Sequence, residues 1–179
     1  MTAEGFEANL AVGHLGRALL AWKLEPVLAA TQGSQILSTV GLNLARFDLG
    51  DPTAAASNKA MVALGRWQWA QQVFSRVWNE KSLVPMNIFM PGIVKTKILD
   101  SEPGFARIMI KLIMAFVAIT PAKSAEQVVA TLEDVRRSGS RDSYYDRGQS
   151  KGKRDLSLEP GDLERVWTAT EAALKGFRD

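Results

Sequence analysis

Residues 83–96 constrain the fold of this chain more than any other part of the sequence. They are typical of a short apolar strand that ends at Pro91-Gly92 and is followed by the start of a helix. Proline removes a backbone donor and glycine permits a positive φ, so the strand must stop at this pair. In open α/β sheets, ligands bind at the carboxyl ends of the strands. The sequence therefore predicts a ligand edge that begins at Pro91.

Helical periodicity and capping residues predict helices on both sides of this strand. Thr2 is expected to cap the first helix and Ser124 the fourth. The predicted helices cover residues 2–31, 57–81, 95–119, 124–137 and 159–177, and further strands are predicted over residues 34–40 and 142–146. Such alternation predicts an α/β fold with about three parallel strands flanked by helices.

Composition narrows the class of protein. A chain of 179 residues is expected to form one domain, residues 1–179, and its net charge of +3 with scattered basic residues argues against nucleic-acid binding. The absence of cysteine excludes disulfides and thiolate metal sites. No signal-peptide pattern opens the chain, and Arg107 and Lys111 interrupt its most apolar run. These features predict a cytoplasmic protein without a transmembrane segment.

Several short motifs, in this order, resemble the short-chain dehydrogenases/reductases, in particular their retinol-dehydrogenase-like branch. The motifs cover nearly the whole chain and are Gly5-Phe6-Glu7, Val12-Gly13-His14-Leu15-Gly16, Ser34-Gln35-Ile36-Leu37, Arg46-Phe47-Asp48-Leu49, residues 87–96 and Arg165-Val166-Trp167. The resemblance implies the C-terminal half of a Rossmann-like fold, because the family's glycine-rich dinucleotide turn precedes these motifs. The glycine pairs Gly13/Gly16 and Gly148/Gly152 do not follow a strand and open a helix, so no cofactor is predicted.

The resemblance also implies that the family's catalytic Asn, Ser, Tyr and Lys are lost. The matching positions hold Gly13, Gly41, Leu64 and Gln68 in this chain. A slip in register could bring Ser38 or Thr39 to the serine position, but no slip creates the tyrosine or the lysine. Leucine cannot donate a proton and glutamine carries no charge, so hydride transfer by the family mechanism is not expected.

Candidate catalytic residues remain, each with a structural alternative. His14 is either a general acid/base or a packing residue, Asp48 a catalytic carboxylate or a turn cap, and Gln68 a polar group that orients substrate. The expected lining of a lipophilic pocket comprises Gly41, Asn43, Leu64, Trp67, Pro91, Met109 and Met114, although core packing explains the aromatic and methionine residues equally well.

With half a sheet expected, the strand of residues 34–40 becomes an exposed apolar edge. Self-association, a partner chain with the missing half, or a rearranged N-terminal helix could each cover it. By analogy with the family we expect a homodimer through the helices of residues 2–31 and 57–81.

Three functions stay open from the sequence. The first is a non-redox protein that binds a lipophilic small molecule and catalyses a cyclisation, isomerisation or dehydration, for example in secondary-metabolite biosynthesis. The second is a catalytically inactive pseudoenzyme that binds or scaffolds a partner. The third is residual NAD(P)-dependent oxidoreduction.

Overall fold

The computed structural model describes residues 1–41, 60–95 and 118–177, with side chains of the second range described from Gly65 onward. Five α-helices and four strands are assigned in these ranges, with a π-helical turn between the first two helices. They are α1 (Ala8–Leu10), the π-helical turn (Ala11–Leu15), α2 (Gly16–Ala29), β1 (Ile36–Thr39), α3 (Ala60–Lys81), β2 (Met86–Met90), α4 (Pro121–Ser138), β3 (Tyr144–Asp146), β4 (Gln149–Ser150) and α5 (Asp162–Leu174).

The strands form one sheet in the order β1-β2-β3-β4. β1 pairs with β2 and β2 with β3 in parallel, whereas β4 pairs with β3 in the antiparallel direction. The predicted α/β class and the three parallel strands are thus confirmed. The antiparallel β4 is an addition, because residues 150–154 were expected to form a loop.

Helix α3 is the centre of the main hydrophobic core. Its Phe74 is fully buried and lies with its ring centroid 5.2 Å from Trp167, 5.4 Å from Trp22 and 6.0 Å from Trp78. These rings bring α2, α3 and α5 together on one face of the sheet, and Phe89, Val135 and Tyr145 form a separate cluster with α4 on the other. Burial of large aromatic side chains is a major contribution to stability.

Three local expectations are wrong. The first helix is capped by Glu7 and not by Thr2, since the Glu7 carboxylate accepts hydrogen bonds from the backbone N–H groups of Asn9 and Leu10. Helix α4 is capped by Thr120, whose hydroxyl accepts from Lys123 N–H, so Ser124 lies inside the helix. In both cases the residue that caps is the one whose oxygen reaches the free amides of the first turn.

The ends of the predicted 95–119 helix are also not helical. Lys95 N–H donates to the Ile119 carbonyl at 2.9 Å, and Ile119 N–H donates to the Ile93 carbonyl at 2.9 Å. Val94 and Ile119 therefore form a parallel bridge just before α4. The rest of that segment, from 96 to 117, lies outside the described residues.

Candidate functional site

Three of the four positions that match the family's catalytic residues, Gly13, Gly41 and Gln68, lie near the carboxyl end of β1. Gly13 lies in the π-helical turn, Gly41 follows β1, and Leu64 and Gln68 belong to α3. A Cβ atom built on Gly13 would lie 2.4 Å from Cδ2 of Trp67, which no real structure tolerates. The Trp67 indole therefore occupies the space that any larger residue at position 13 would need.

Gln68 is packed directly against Gly41. A Cβ atom on Gly41 would lie 3.1 Å from Oε1 and 3.3 Å from Nε2 of Gln68. The Gln68 side chain is 7% exposed, and its Oε1 accepts no hydrogen bond from the described residues. A buried amide oxygen with an open acceptor position is suited to orienting a bound donor.

His14 lies in the core beside this cluster. It is 2% exposed, its ring packs edge-on to Phe74 at 5.8 Å, and both ring nitrogens have partners: Nδ1 lies 3.1 Å from Gln71 Oε1 and Nε2 lies 2.9 Å from Thr170 Oγ1. Burial lowers the pKa of His14 from 6.5 to about 4, partly opposed by the Gln71 hydrogen bond. A neutral imidazole whose two nitrogens both have hydrogen-bond partners favours the structural alternative for this residue over a role as general base.

A chain of buried polar groups runs from α5 to the sheet. A neutral imidazole has one donor and one acceptor nitrogen. The pattern assigns the proton to His14 Nδ1, which donates to Gln71 Oε1, while Gln71 Nε2 donates to Ser38 Oγ at 3.1 Å. The Thr170 hydroxyl has one proton, which it can donate either to Nε2 at 2.9 Å or to the Val166 carbonyl at 2.7 Å. The chain thus links the core histidine to Ser38 on β1.

The Pro91-Gly92 turn closes β2 as expected. Gly92 has a φ of +80°, and the backbone N–H of Arg147 donates to the carbonyl of Met90 at 2.8 Å. Arg147 packs on the turn, since its Cδ would lie 3.4 Å from a Cβ on Gly92. Pro91 therefore sits at the carboxyl edge of the sheet, where the sequence placed it.

The described residues include only part of the predicted site. Gly41, Trp67, Gln68 and His14 lie together, and Pro91 lies at the same sheet edge on the neighbouring strand. Asp48, Asn43, Met109 and Met114 fall outside the described residues, as does the side chain of Leu64. Their predicted roles stay predictions.

A separate groove was not foreseen from the sequence. It has a volume of about 280 Å³ and lies between α2 and β1, and its lining comprises Arg17, Leu20, Ala21, Leu24, Leu28, Ile36, Leu37, Ser38, Thr39, Gln71 and Met86. The guanidinium of Arg17 stacks over Trp67 at 5.0 Å and donates to the Thr39 carbonyl. The sequence feature that could have indicated this groove is the row of apolar residues on the outer side of α2.

Metal and membrane sites find no support in the part of the chain that the structure describes. No three His, Asp or Glu side chains there are grouped closely enough to hold a metal ion. No described helix combines the length and the apolar character needed to cross a bilayer. Of the two glycine pairs, Gly148 lies in the β3–β4 connection and Gly16 begins α2 directly after the π-helical turn, so neither follows a strand into a helix.

Comparison with known proteins supports a distant relationship to short-chain dehydrogenases. No family model matches the chain. A curated short chain dehydrogenase of Arthrobotrys oligospora is 26% identical over 191 residues, which cover 94% of this chain and 59% of the relative. A crystal structure of an uncharacterized protein from Mycobacterium Paratuberculosis matches with a TM-score of 0.61 at 16% identity, covering 98% of this chain and 61% of that one. The chain thus spans about three fifths of the length of both proteins.

Proposed function

We propose that this chain is a non-redox protein derived from the short-chain dehydrogenase fold, which binds a lipophilic small molecule without NAD(P). The observation that carries the proposal is the cluster of Gly13, Gly41, Trp67 and Gln68. The cluster offers the apolar indole of Trp67 and the amide of Gln68, but no acidic proton and no cation at the matching positions. Hydride transfer in the family needs both.

The reaction class we propose is a cyclisation, isomerisation or dehydration. Such steps need no hydride carrier and depend on holding one conformation of the substrate beside a few fixed polar groups. Gln68 is our candidate for such a group, because its Oε1 is buried and has no partner among the described residues. Asp48 completes the proposed catalytic set, and His14, buried in the core, is proposed as a positioning residue that acts through Gln71 and Ser38.

A catalytically inactive binding module is the second candidate. The burial of His14 and its bonds to Gln71 and Thr170 favour it, because a ring whose two nitrogens are both engaged is poorly placed to exchange protons with a substrate. This candidate shares the ligand site of the first and differs in predicting no turnover. The proposed homodimer and cytoplasmic location apply to both.

The test measures the binding of farnesol, a neutral lipophilic probe, to the full chain by the quenching of tryptophan fluorescence. We expect saturable quenching that Gln68→Leu weakens at least about tenfold, the equivalent of about 1.4 kcal/mol. Gln149→Leu, on the exposed strand β4, is the matched control and should leave binding unchanged.

Titration with NADPH decides the redox question. We expect no saturable change in NADPH fluorescence at micromolar protein. Saturable binding there would overturn the non-redox proposal. If Gln68→Leu leaves the affinity for farnesol unchanged, the assignment of the ligand site to Gln68 is wrong.

A further inference from the structure

Strand β1 carries backbone hydrogen-bonding groups on the side away from β2. Ile36 N–H donates to the Pro85 carbonyl at 2.8 Å and Val40 N–H to the Phe89 carbonyl at 2.9 Å. Because backbone groups alternate in direction along a strand, those of Leu37 and Thr39 point to the opposite side. Among the described strands, β1 is the last of the sheet on that side.

The outer face of α2 beside this edge is apolar and exposed. Leu20, Leu24 and Val27 are 58%, 43% and 65% exposed, and their spacing of four and three residues places them on one stripe of the helix. Single exposed apolar residues are common, but a continuous stripe beside an unpaired strand edge is typical of an interaction surface.

Among the described residues, Arg17 is the one charged residue that lines the groove between α2 and β1. Its guanidinium donates to the Thr39 carbonyl, at the carboxyl end of β1. No carboxylate of the described residues forms an ion pair with it. A half-buried arginine on an apolar surface gains most from a planar carboxylate partner.

We propose that this groove is the docking site for an extended apolar segment of a different polypeptide, which adds as a further strand to the edge of β1 that no described strand pairs with, and brings a carboxylate to Arg17. The backbone of Leu37 supplies the pairing, and the leucines of α2 cover the segment's side chains. This is strand addition of the kind used by many peptide-binding domains.

Charge distinguishes this partner from a second copy of the chain. Two copies joined at β1 would place two arginines in the interface and no carboxylate from either groove lining. A second copy therefore leaves each Arg17 without a carboxylate from the facing groove, whereas a partner carboxylate is complementary. The structure therefore favours a heterologous partner at this edge.

The first experiment uses a fluorescein-labelled peptide, Thr-Val-Thr-Val-Ile-Asp, and measures its anisotropy with the full chain. We expect saturable binding that weakens at least tenfold when the second of the two valines is replaced by proline, which cannot donate a pairing hydrogen bond. Hydrogen exchange by NMR should show new protection at the amides of Leu37 and Thr39. The amides of Ile36 and Val40, already bonded to β2, should not change.

The second experiment uses variants of the chain. Arg17→Glu should reverse the preference, so that a peptide ending in Lys binds better than the one ending in Asp. Leu24→Glu should weaken binding at least tenfold, whereas Val129→Glu, at the 55% exposed Val129 of α4, should leave it unchanged. Far-ultraviolet circular dichroism checks that every variant is folded.

Three results would overturn the proposal. One is the absence of saturable peptide binding by the folded chain, and another is equal binding of the proline peptide. The third is a dimer in light scattering that Leu24→Glu dissociates and Val129→Glu does not, which would assign the groove to a second copy.

Discussion

Helices α2 and α3 are both long, yet their surroundings within the chain are opposite. Every residue of α3 from Gln68 to Ser75 is buried, because α5, β2 and the π-helical turn all pack on it. In α2 only Ala18 and Ala21 are buried, and two of its leucines, Leu20 and Leu24, are exposed. The contrast teaches that the chain completes its own core around α3 and leaves one side of α2 open.

This contrast bears on the predicted homodimer, which used both helices. The buried face of α3 is already occupied by its own chain, so it offers little area to a partner, whereas α2 offers a continuous apolar stripe. A homodimer stays a prediction, and any partner that forms a large interface is expected to use α2 before α3.

The largest expected effect is at Phe74, where α2, α3 and α5 meet. Phe74→Ala should lower the free energy of unfolding by about 3–5 kcal/mol, since four aromatic rings would line the resulting cavity. Urea titration followed by circular dichroism measures it. Leu20→Ala on the open side of α2 is the control and should change stability by less than about 0.5 kcal/mol. Equal losses in the two variants would contradict the contrast between the helices.

Acid should destabilise the protein through His14. Its pKa is lowered from 6.5 to about 4 in the folded state, so the unfolded state binds more protons between these values. The contribution is fully present above pH 6.5 and is lost as the pH falls towards 4, which at about 1.4 kcal/mol per pH unit amounts to about 3–4 kcal/mol.

Urea titrations at several pH values measure the acid effect. His14→Gln should flatten the curve in this window. An unchanged curve in the variant would show that other groups cause the acid sensitivity.

Gly13→Ala tests how closely α3 packs against the π-helical turn. The added methyl would overlap Trp67, so we expect a loss of about 1–3 kcal/mol in thermal or urea unfolding. Gly176→Ala is the control, because a Cβ there meets nothing within 4 Å. If Trp67→Leu in the Gly13→Ala background fails to recover any stability, the overlap is not the cause.

The smallest expected effect is on the open side. Leu24→Glu should change the free energy of unfolding by less than about 0.5 kcal/mol, because residue 24 is 43% exposed in the single chain. Differential scanning calorimetry at low protein concentration measures this. A marked loss of stability would mean that the α2 stripe is covered in solution.

The sequence predicted the class of fold because helices and strands leave local periodicity. It missed β4 because the turn before it, Arg147-Gly148, has a positive φ at both residues, 50° and 83°. Such a hairpin turn is normally signalled by Asn-Gly or Asp-Gly, and arginine gives no such signal. The sequence also misplaced two helix caps, because Glu7 and Thr120 compete with nearby residues whose side-chain oxygens can also accept hydrogen bonds.

The candidate site was predictable only where a motif marked it. Gly13, Gly41 and Gln68 could be placed beside one another through the resemblance. The chain of Ser38, Gln71, His14 and Thr170 could not, because its hydrogen-bonded pairs are separated by 33 to 156 residues and no motif links His14 to the other three. Polar contacts of this kind depend on side-chain geometry that local pattern does not encode.

The π-helical turn determines which residues of α1 and α2 lie on the same side of the helix axis. Each residue of an α-helix turns the chain by about 100°, and a π turn holds about one residue more than an α turn. The wide turn absorbs this extra residue, so Leu10 and Ala18, eight positions apart, both face the core. Deleting Val12, which is 77% exposed, would therefore restore a continuous α-helix and leave both residues facing the core.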